Sequence, residues 1–249
     1  MFVDPLAEQT MTPYQYVNNN PIMFTDPTGM SANPVYDPEG NHIGNTKEGF
    51  TGEILIYSGN KDKSFFENLS ADDFLNSTDD DVVGSIFKLD DVLSELPENA
   101  VSNIWNDVVS KQNGSSFFGI KFDMANIEGG IQYNPDGNYN WSTSYYSRGK
   151  TGQIFGSGKH SYESTVENIQ SSVIIHEYIS HMQLKFGDGN KNHSNSYFMV
   201  RNSVKLWNST TWKHKQFNWQ NYNYYKNLEL YNQSNIMESK PYNGFINFF

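Results

Sequence analysis

In the run Ile174-Ile175-His176-Glu177-Tyr178-Ile179-Ser180-His181-Met182, two histidines and a carboxylate share one apolar, helix-forming stretch. Neutral imidazoles can hold a divalent metal, and a glutamate beside the first can take a proton from water attacking a substrate. The usual zinc-hydrolase pattern, H-E-x-x-H, spaces its histidines four apart. His176 and His181 are five apart. Each residue of a regular α-helix turns about 100°, so a spacing of four leaves two side chains about 40° apart and a spacing of five about 140°. At that larger angle both rings could not reach one ion. A π-turn, with its i→i+5 bond, adds a residue to the turn and returns the second ring to the face of the first; such turns concentrate at functional sites. A shared metal therefore predicts a distorted helix between His176 and His181. The alternative is a regular amphipathic helix with two unrelated histidines.

A catalytic zinc takes three protein ligands and keeps one open position. His193 lies twelve residues after His181, beyond Gly187-Asp188-Gly189-Asn190-Lys191-Asn192, and precedes a helical stretch expected from Ser194 to about Trp207. A ligand opening the next helix would let the chain fold back onto the metal. The plainer alternative is an exposed loop histidine, and Asp188, His214, Glu229 and Glu238 are further candidates for the third position. Other catalytic schemes find less support. The chain contains no Gly-x-Ser-x-Gly, no P-loop and no Gly-x-Gly-x-x-Gly. A carboxylate pair of the glycosidase type stays open, because spatial pairing is invisible in sequence.

The 249 residues suffice for one large domain or two small ones, and 17 Phe, 16 Tyr and 5 Trp can fill a core. The absence of cysteine removes disulfides, thiolate ligands and a thiol nucleophile from consideration. No 18-residue apolar run predicts a membrane span, and Met1-Phe2-Val3-Asp4-Pro5 lacks the basic and apolar regions of a signal peptide. Charge is uneven: residues 1–110 carry 19 acids against 4 bases, a net of −15, and residues 111–249 carry 9 acids against 13 bases, a net of +4. Two mutually attracting parts, or a solvated acidic face, would both follow. The overall charge of −11 speaks against unspecific nucleic-acid binding by the whole chain.

The positioning elements follow from pattern. Turn pairs Asp37-Pro38 and Glu39-Gly40 predict a hairpin within residues 34–58, with Glu53-Ile54-Leu55-Ile56-Tyr57 a buried strand and His42 a structural residue. Residues 63–112 are acidic and helical in period: Ala71 to Leu75 forms a short helix or turn, and Val92, Leu93 and Leu96 face one way. Pro97 opens a helix with Ala100, Ile104, Val108 and Val109 as its buried stripe. Phe117–Phe122, Gly129–Tyr133 and Tyr139–Tyr146, with a turn at Asn134-Pro135-Asp136-Gly137, predict a three-strand antiparallel meander, followed by a loop over residues 148–160. Ser164-Thr165-Val166-Glu167 has capping-box spacing, Val166, Ile169, Val173 and Ile174 continue into His176, and Gly187 ends the helix. A sheet followed by a buried helix bearing His-Glu is the element order of zincin proteases.

Two resemblances sharpen the expectation. His176-Glu177-x-x-x-His181 resembles the His-Glu-x-x-Gly-His helix of the dipeptidyl peptidase III family, with Ser180 at the family's glycine. Separately, Tyr14-Gln15-Tyr16-Val17-Asn18-Asn19-Asn20-Pro21-Ile22 and Asp26-Pro27-Thr28-Gly29 resemble the end of the RHS-repeat-associated core domain, over residues 3–30. That resemblance implies a shell whose variable toxin cargo starts after Asp-Pro-x-Gly, with Met30-Ser31 as the joint. Many RHS-linked toxins are similar around the motif, with a histidine opening the next helix near a tyrosine, the place held here by His193 and Tyr197.

The reading is an α+β protein: residues 1–30 a remnant of the RHS core, 31–115 an acidic linker and helical scaffold, and 116–249 a zincin-like region with a small antiparallel sheet packed on the metal-bearing helix. His176, His181 and His193 bind Zn2+, Glu177 is the general base, and Tyr197 or His214 stabilises the oxyanion. The expected function is a peptide-hydrolysing toxin effector, secreted or delivered within a larger protein, with an RHS shell and a cognate immunity protein as partners. A nuclease cargo and a non-catalytic interaction module are the rivals.

Overall fold

The computed structural model describes residues 33–238 apart from residues 48, 81, 127–130, 136–138, 148–149, 158–162 and 187–189. The segment resembling the RHS core, residues 3–30, lies outside the described residues, as does Asp188. No helix is long and apolar enough to cross a membrane among the described residues.

The chain opens with β1 (Pro34–Tyr36), β2 (His42–Asn45) and β3 (Leu55–Tyr57), then α1 (Lys63–Glu67), α2 (Ala71–Leu75), β4 (Ile86–Lys88), α3 (Leu89–Val92) and α4 (Glu98–Ser110). The expected hairpin is β1–β2, closed through Asp37 and Gly40; Gly40 has φ +82°, and a Cβ there would collide with the Ala100 backbone, so glycine is required. These strands form one mixed sheet in the order β2-β1-β3-β4, with β1 parallel to β3 and the other pairs antiparallel. Alternation along the strands separates two cores. Val35, Leu55 and Tyr57 pack with Phe66 and Phe74 of α1 and α2. Tyr36, Ile54 and Ile56 face the main core with α4.

Helix α4 buries Ala100, Ile104, Val108 and Val109 as its period predicts, with Val101 and Trp105 widening the stripe. Pro97 sits one position earlier than expected, as the N-cap with extended ψ. His42 bonds Asn45 at 2.8 Å and packs edge-on to Phe50, the structural place expected for it.

The β segment departs from expectation. Ser116–Phe117 (β5) and Ile120–Lys121 (β6) form a separate two-strand hairpin. The three-strand antiparallel meander is β7 (Ile131–Pro135), β8 (Tyr139–Ser147) and β9 (Lys150–Ser157), and β9 occupies most of the stretch expected to be a loop. Pairing of Lys150–Ser157 along the whole of β8 overrides the low strand propensity of its Gly, Lys and Ser. Strand β7 lies along α4.

The next elements are α5 (Val166–Gln170), a π-helix (Ser171–Gln183), α6 (Asn190–Asn202), α7 (Val204–Trp207) and α8 (Trp212–Glu238). The helical stretch expected from Ser194 is thus two helices, and the first begins four residues earlier. The cap of α5 is Thr165, whose side chain accepts from the Asn168 N–H, so the cap lies one residue later than Ser164. Glu167 is not part of a capping box; its carboxylate accepts the Gly52 N–H at 3.1 Å and fastens α5 to the segment before β3. Burial, the largest influence on it, raises the Glu167 pKa.

Candidate metal centre

Everything from Ser164 to Met182 is buried except Ser172 and His181, which are half-buried. Most polar groups in this region are tied to neighbours, the buried Ser171 hydroxyl excepted. Gln170 donates to the Val108 carbonyl at 2.9 Å and accepts from Gln112 at 3.0 Å, fixing α5 against α4. Asn168 donates to Thr211 Oγ1 and accepts the Thr211 N–H, fixing α5 to the start of α8. The motif thus emerges from a segment bolted on two sides.

The helix carrying the motif is not α-helical with one irregularity, as the five-residue spacing required; it is π-helical over Ser171–Gln183. The i→i+5 pattern continues to its end, where the Leu184 N–H reaches the Ile179 carbonyl at 2.9 Å. Ser180 has a specific part in this: its hydroxyl donates to the carbonyl of Ile175, five residues back, at 2.8 Å. A serine in this place gives the Ile175 carbonyl a side-chain donor, which a glycine could not do. The helix closes before Gly187, through Lys185 at φ +57° and the Phe186 N–H bonded to the Ser180 carbonyl.

The widened helix places His176 and His181 on one side, with ring centroids 5.1 Å apart. His193, in the first turn of α6, completes a nearly equilateral triangle, at 5.2 Å from His176 and 5.3 Å from His181. One nitrogen from each ring lies within 4.8 Å of the others, close enough for the three residues to bind one metal ion. Nε2 of His176 and Nε2 of His193 are 3.3 Å apart. Two ligands at about 2.0–2.1 Å on a tetrahedral ion are about 3.3–3.4 Å from each other. The Phe186 carbonyl, 2.6 Å from His181 Nδ1, accepts that nitrogen's proton and leaves Nε2 with its lone pair. The donor set thus fits a metal that takes three neutral imidazoles.

Electrostatics agree with this chemistry. Burial lowers the His176 pKa well below the ordinary histidine value, and the neighbouring His181, His193 and His214 act in the same direction. His176 therefore stays neutral and able to coordinate. Glu177 is buried, with Oε1 3.8 Å from His176 Nε2, beside the triangle but not a member of the mutually close set.

Aromatic rings wall the site. Tyr197 of α6 is buried, its ring 4.5 Å from that of His176 and stacked at 5.4 Å on His193. Tyr225 of α8 stacks on His193 at 4.4 Å with an interplanar angle of 2°. Ser196 Oγ lies 3.3 Å from His181 Nε2.

His214 is almost wholly buried but is not part of the triangle: Ser172 Oγ is 3.3 Å from its Nε2, and Asn218 Nδ2 is 3.2 Å from each ring nitrogen. Glu229 accepts from Lys226 at 3.2 Å, and the Glu238 side chain lies outside the described residues. Sequence reasoning missed Tyr225, Ser196 and the Phe186 carbonyl. The first sits in an aromatic run, Tyr222-Asn223-Tyr224-Tyr225, a weak signal; a backbone carbonyl has no sequence signal at all. Comparison with known proteins found no matching family model, no matching curated protein and no matching solved structure.

Proposed function

We propose that this chain is a zinc-dependent peptidase, the cargo domain of a larger RHS-type toxin. The observation that carries the reading is the triangle of His176, His181 and His193 with the Glu177 carboxylate against one of its corners. His176, His181 and His193 would hold the zinc, which when bound supplies Lewis-acid polarisation of the scissile carbonyl and makes nearby water more acidic.

The chain's own residues account for the proton traffic. Glu177 accepts a proton from the attacking water as the new C–O bond forms. It then hands that proton to the amine nitrogen as the C–N bond breaks, so the carboxylate is regenerated. Its burial beside His176 keeps it close to the reacting atoms. Tyr197, whose ring lies over His176, donates to the oxyanion in preference to His214, which is engaged with Ser172 and Asn218. The substrate is a protein or peptide. Residues 1–30 support the further reading that the domain is delivered inside an RHS shell and is neutralised by a dedicated immunity protein.

The test is Glu177→Gln. This isosteric change leaves all three histidines in place, so zinc content by elemental analysis stays near one per chain, while peptide-library hydrolysis falls by about 10²–10⁴-fold. Undiminished hydrolysis would remove Glu177 from the mechanism. A zinc-free protein that gains no zinc on dialysis would remove the metal reading itself.

A further inference from the structure

His193 is the one histidine of the three that comes from a different element. His176 and His181 are held on one continuous, buried helix, whereas His193 belongs to the first turn of α6, across residues 187–189. A ligand arriving on a separate helix needs an orienting contact, because ring rotation about its own side-chain bonds would break the triangle. His181 has such a contact in the Phe186 carbonyl. For His193 one such contact is the face of Tyr225, parallel to the imidazole within 2° and 4.4 Å from it.

Tyr225 comes from α8, a helix that is itself fixed against the metal-bearing segment. Thr211, just before α8, exchanges hydrogen bonds with Asn168 of α5, and three residues into the helix His214 meets Ser172 of the π-helix. The start of α8, held through Thr211 and the buried His214, therefore fixes the helix that carries Tyr225. Tyr197 contributes the other stacked ring, 5.9 Å from Tyr225 and nearly parallel to it.

We infer that Tyr225 is a positioning residue of the metal centre, holding His193 in the plane that completes the three-histidine site and making α8, after the π-helix and α6, the third helix that builds it. The inference rests on the metal reading of the triangle. The ring, not the phenol hydroxyl, does the positioning, so the conservative and non-conservative variants separate.

The experiment titrates Zn2+ against a chromophoric chelator, in the full chain, for the native protein, Tyr225→Phe and Tyr225→Leu, with the far-UV circular dichroism and Tm of each metal-free protein recorded. Tyr225→Phe is expected to bind zinc within about 2-fold of the native protein, and Tyr225→Leu about 10-fold more weakly, the lower end of what losing an orienting contact around a ligand costs. A merely structural role would lower the metal-free Tm and leave the zinc affinity unchanged, and that result overturns the inference. Equal weakening in Tyr225→Phe and Tyr225→Leu also overturns it, since the hydroxyl would then be the active group. Should Tyr225→Leu lose its native circular dichroism, Tyr225→Met, similar in volume and unable to stack, replaces it under the same criteria. If the native protein itself binds no zinc, the metal reading fails instead, which distinguishes the two failures.

Discussion

Replacing His176, His181, His193 and His214 one at a time should divide them into two classes with opposite signatures. A ligand that binds only the folded state stabilises it by RT ln(1 + [L]/Kd), about 2.7 kcal/mol at a hundredfold excess over Kd. For a chain of this size one kcal/mol moves Tm by about 2–4 °C, so zinc should raise the native Tm by about 5–11 °C. His176→Ala, His181→Ala and His193→Ala each remove one corner of the triangle and should abolish that rise. His214→Ala should behave in the opposite way. His214 is almost wholly buried against Ser172 and Asn218, so its loss removes the ring's contacts with both and opens a cavity. The cost is about 3 kcal/mol, or about 6–12 °C in the metal-free protein. Its zinc-induced rise should nevertheless survive, because its ring is not a ligand. Differential scanning fluorimetry of the five proteins with and without zinc reads both quantities. The reasoning is refuted if His176→Ala or His193→Ala keeps the native rise, or if His214→Ala alone loses it.

Further outcomes are expected elsewhere. Ser180→Gly removes the hydroxyl bonded to the Ile175 carbonyl and adds backbone freedom within a helix, so it should lower stability by about 2 kcal/mol in urea denaturation while leaving zinc content unchanged. A gain in stability would show that the hydroxyl does not support the wide helix. Tyr36 is buried with its hydroxyl donated to Asp107 at 2.8 Å, and burial, followed by the Asp107 charge, raises its pKa far above the ordinary tyrosine value. The folded state therefore keeps a proton that the unfolded chain releases above about pH 10, so stability should fall as pH rises through about 10. Tyr36→Phe should flatten that part of the pH–stability curve, and an unchanged alkaline slope would exclude Tyr36 as its source. Deleting residues 1–30 should shift Tm by no more than about 2 °C, because this Pro- and Asn-rich segment has too little apolar surface to fold on its own. A larger loss would show that this segment packs on the domain.

The sequence by itself determined the conditional statement on which the site depends. Histidines at 176 and 181 could share a metal only on a helix with i→i+5 bonding, and such a helix runs through both. Local pattern also determined the β1–β2 hairpin, α2 and the buried stripe of α4, because turn residues and a 3.6-residue period act over a few neighbours. Local pattern was insufficient where pairing or burial came from afar. Lys150–Ser157 became a strand through its ladder to β8, and Glu167 left its expected capping role for the Gly52 N–H, 115 residues away.

The third metal position was favoured in sequence, where His193 opens the next helix, but its meeting with the other two rings was decided by tertiary structure. His193, His214 and Glu229 all lie downstream of the motif, and sequence alone does not place any of them in space. Packing of α6 on the π-helix brought the first to the triangle, while the packing of α8 turned the second toward Ser172 and Asn218 and left the third with Lys226. The orienting contacts were decided at the same level. The Phe186 carbonyl and the face of Tyr225 reach the imidazoles by way of a chain reversal and a helix 32 residues beyond His193. Residue types and spacing set which chemistry the chain can perform. The plane and direction of each ring depend on contacts between distant segments, which exist only once the chain has folded.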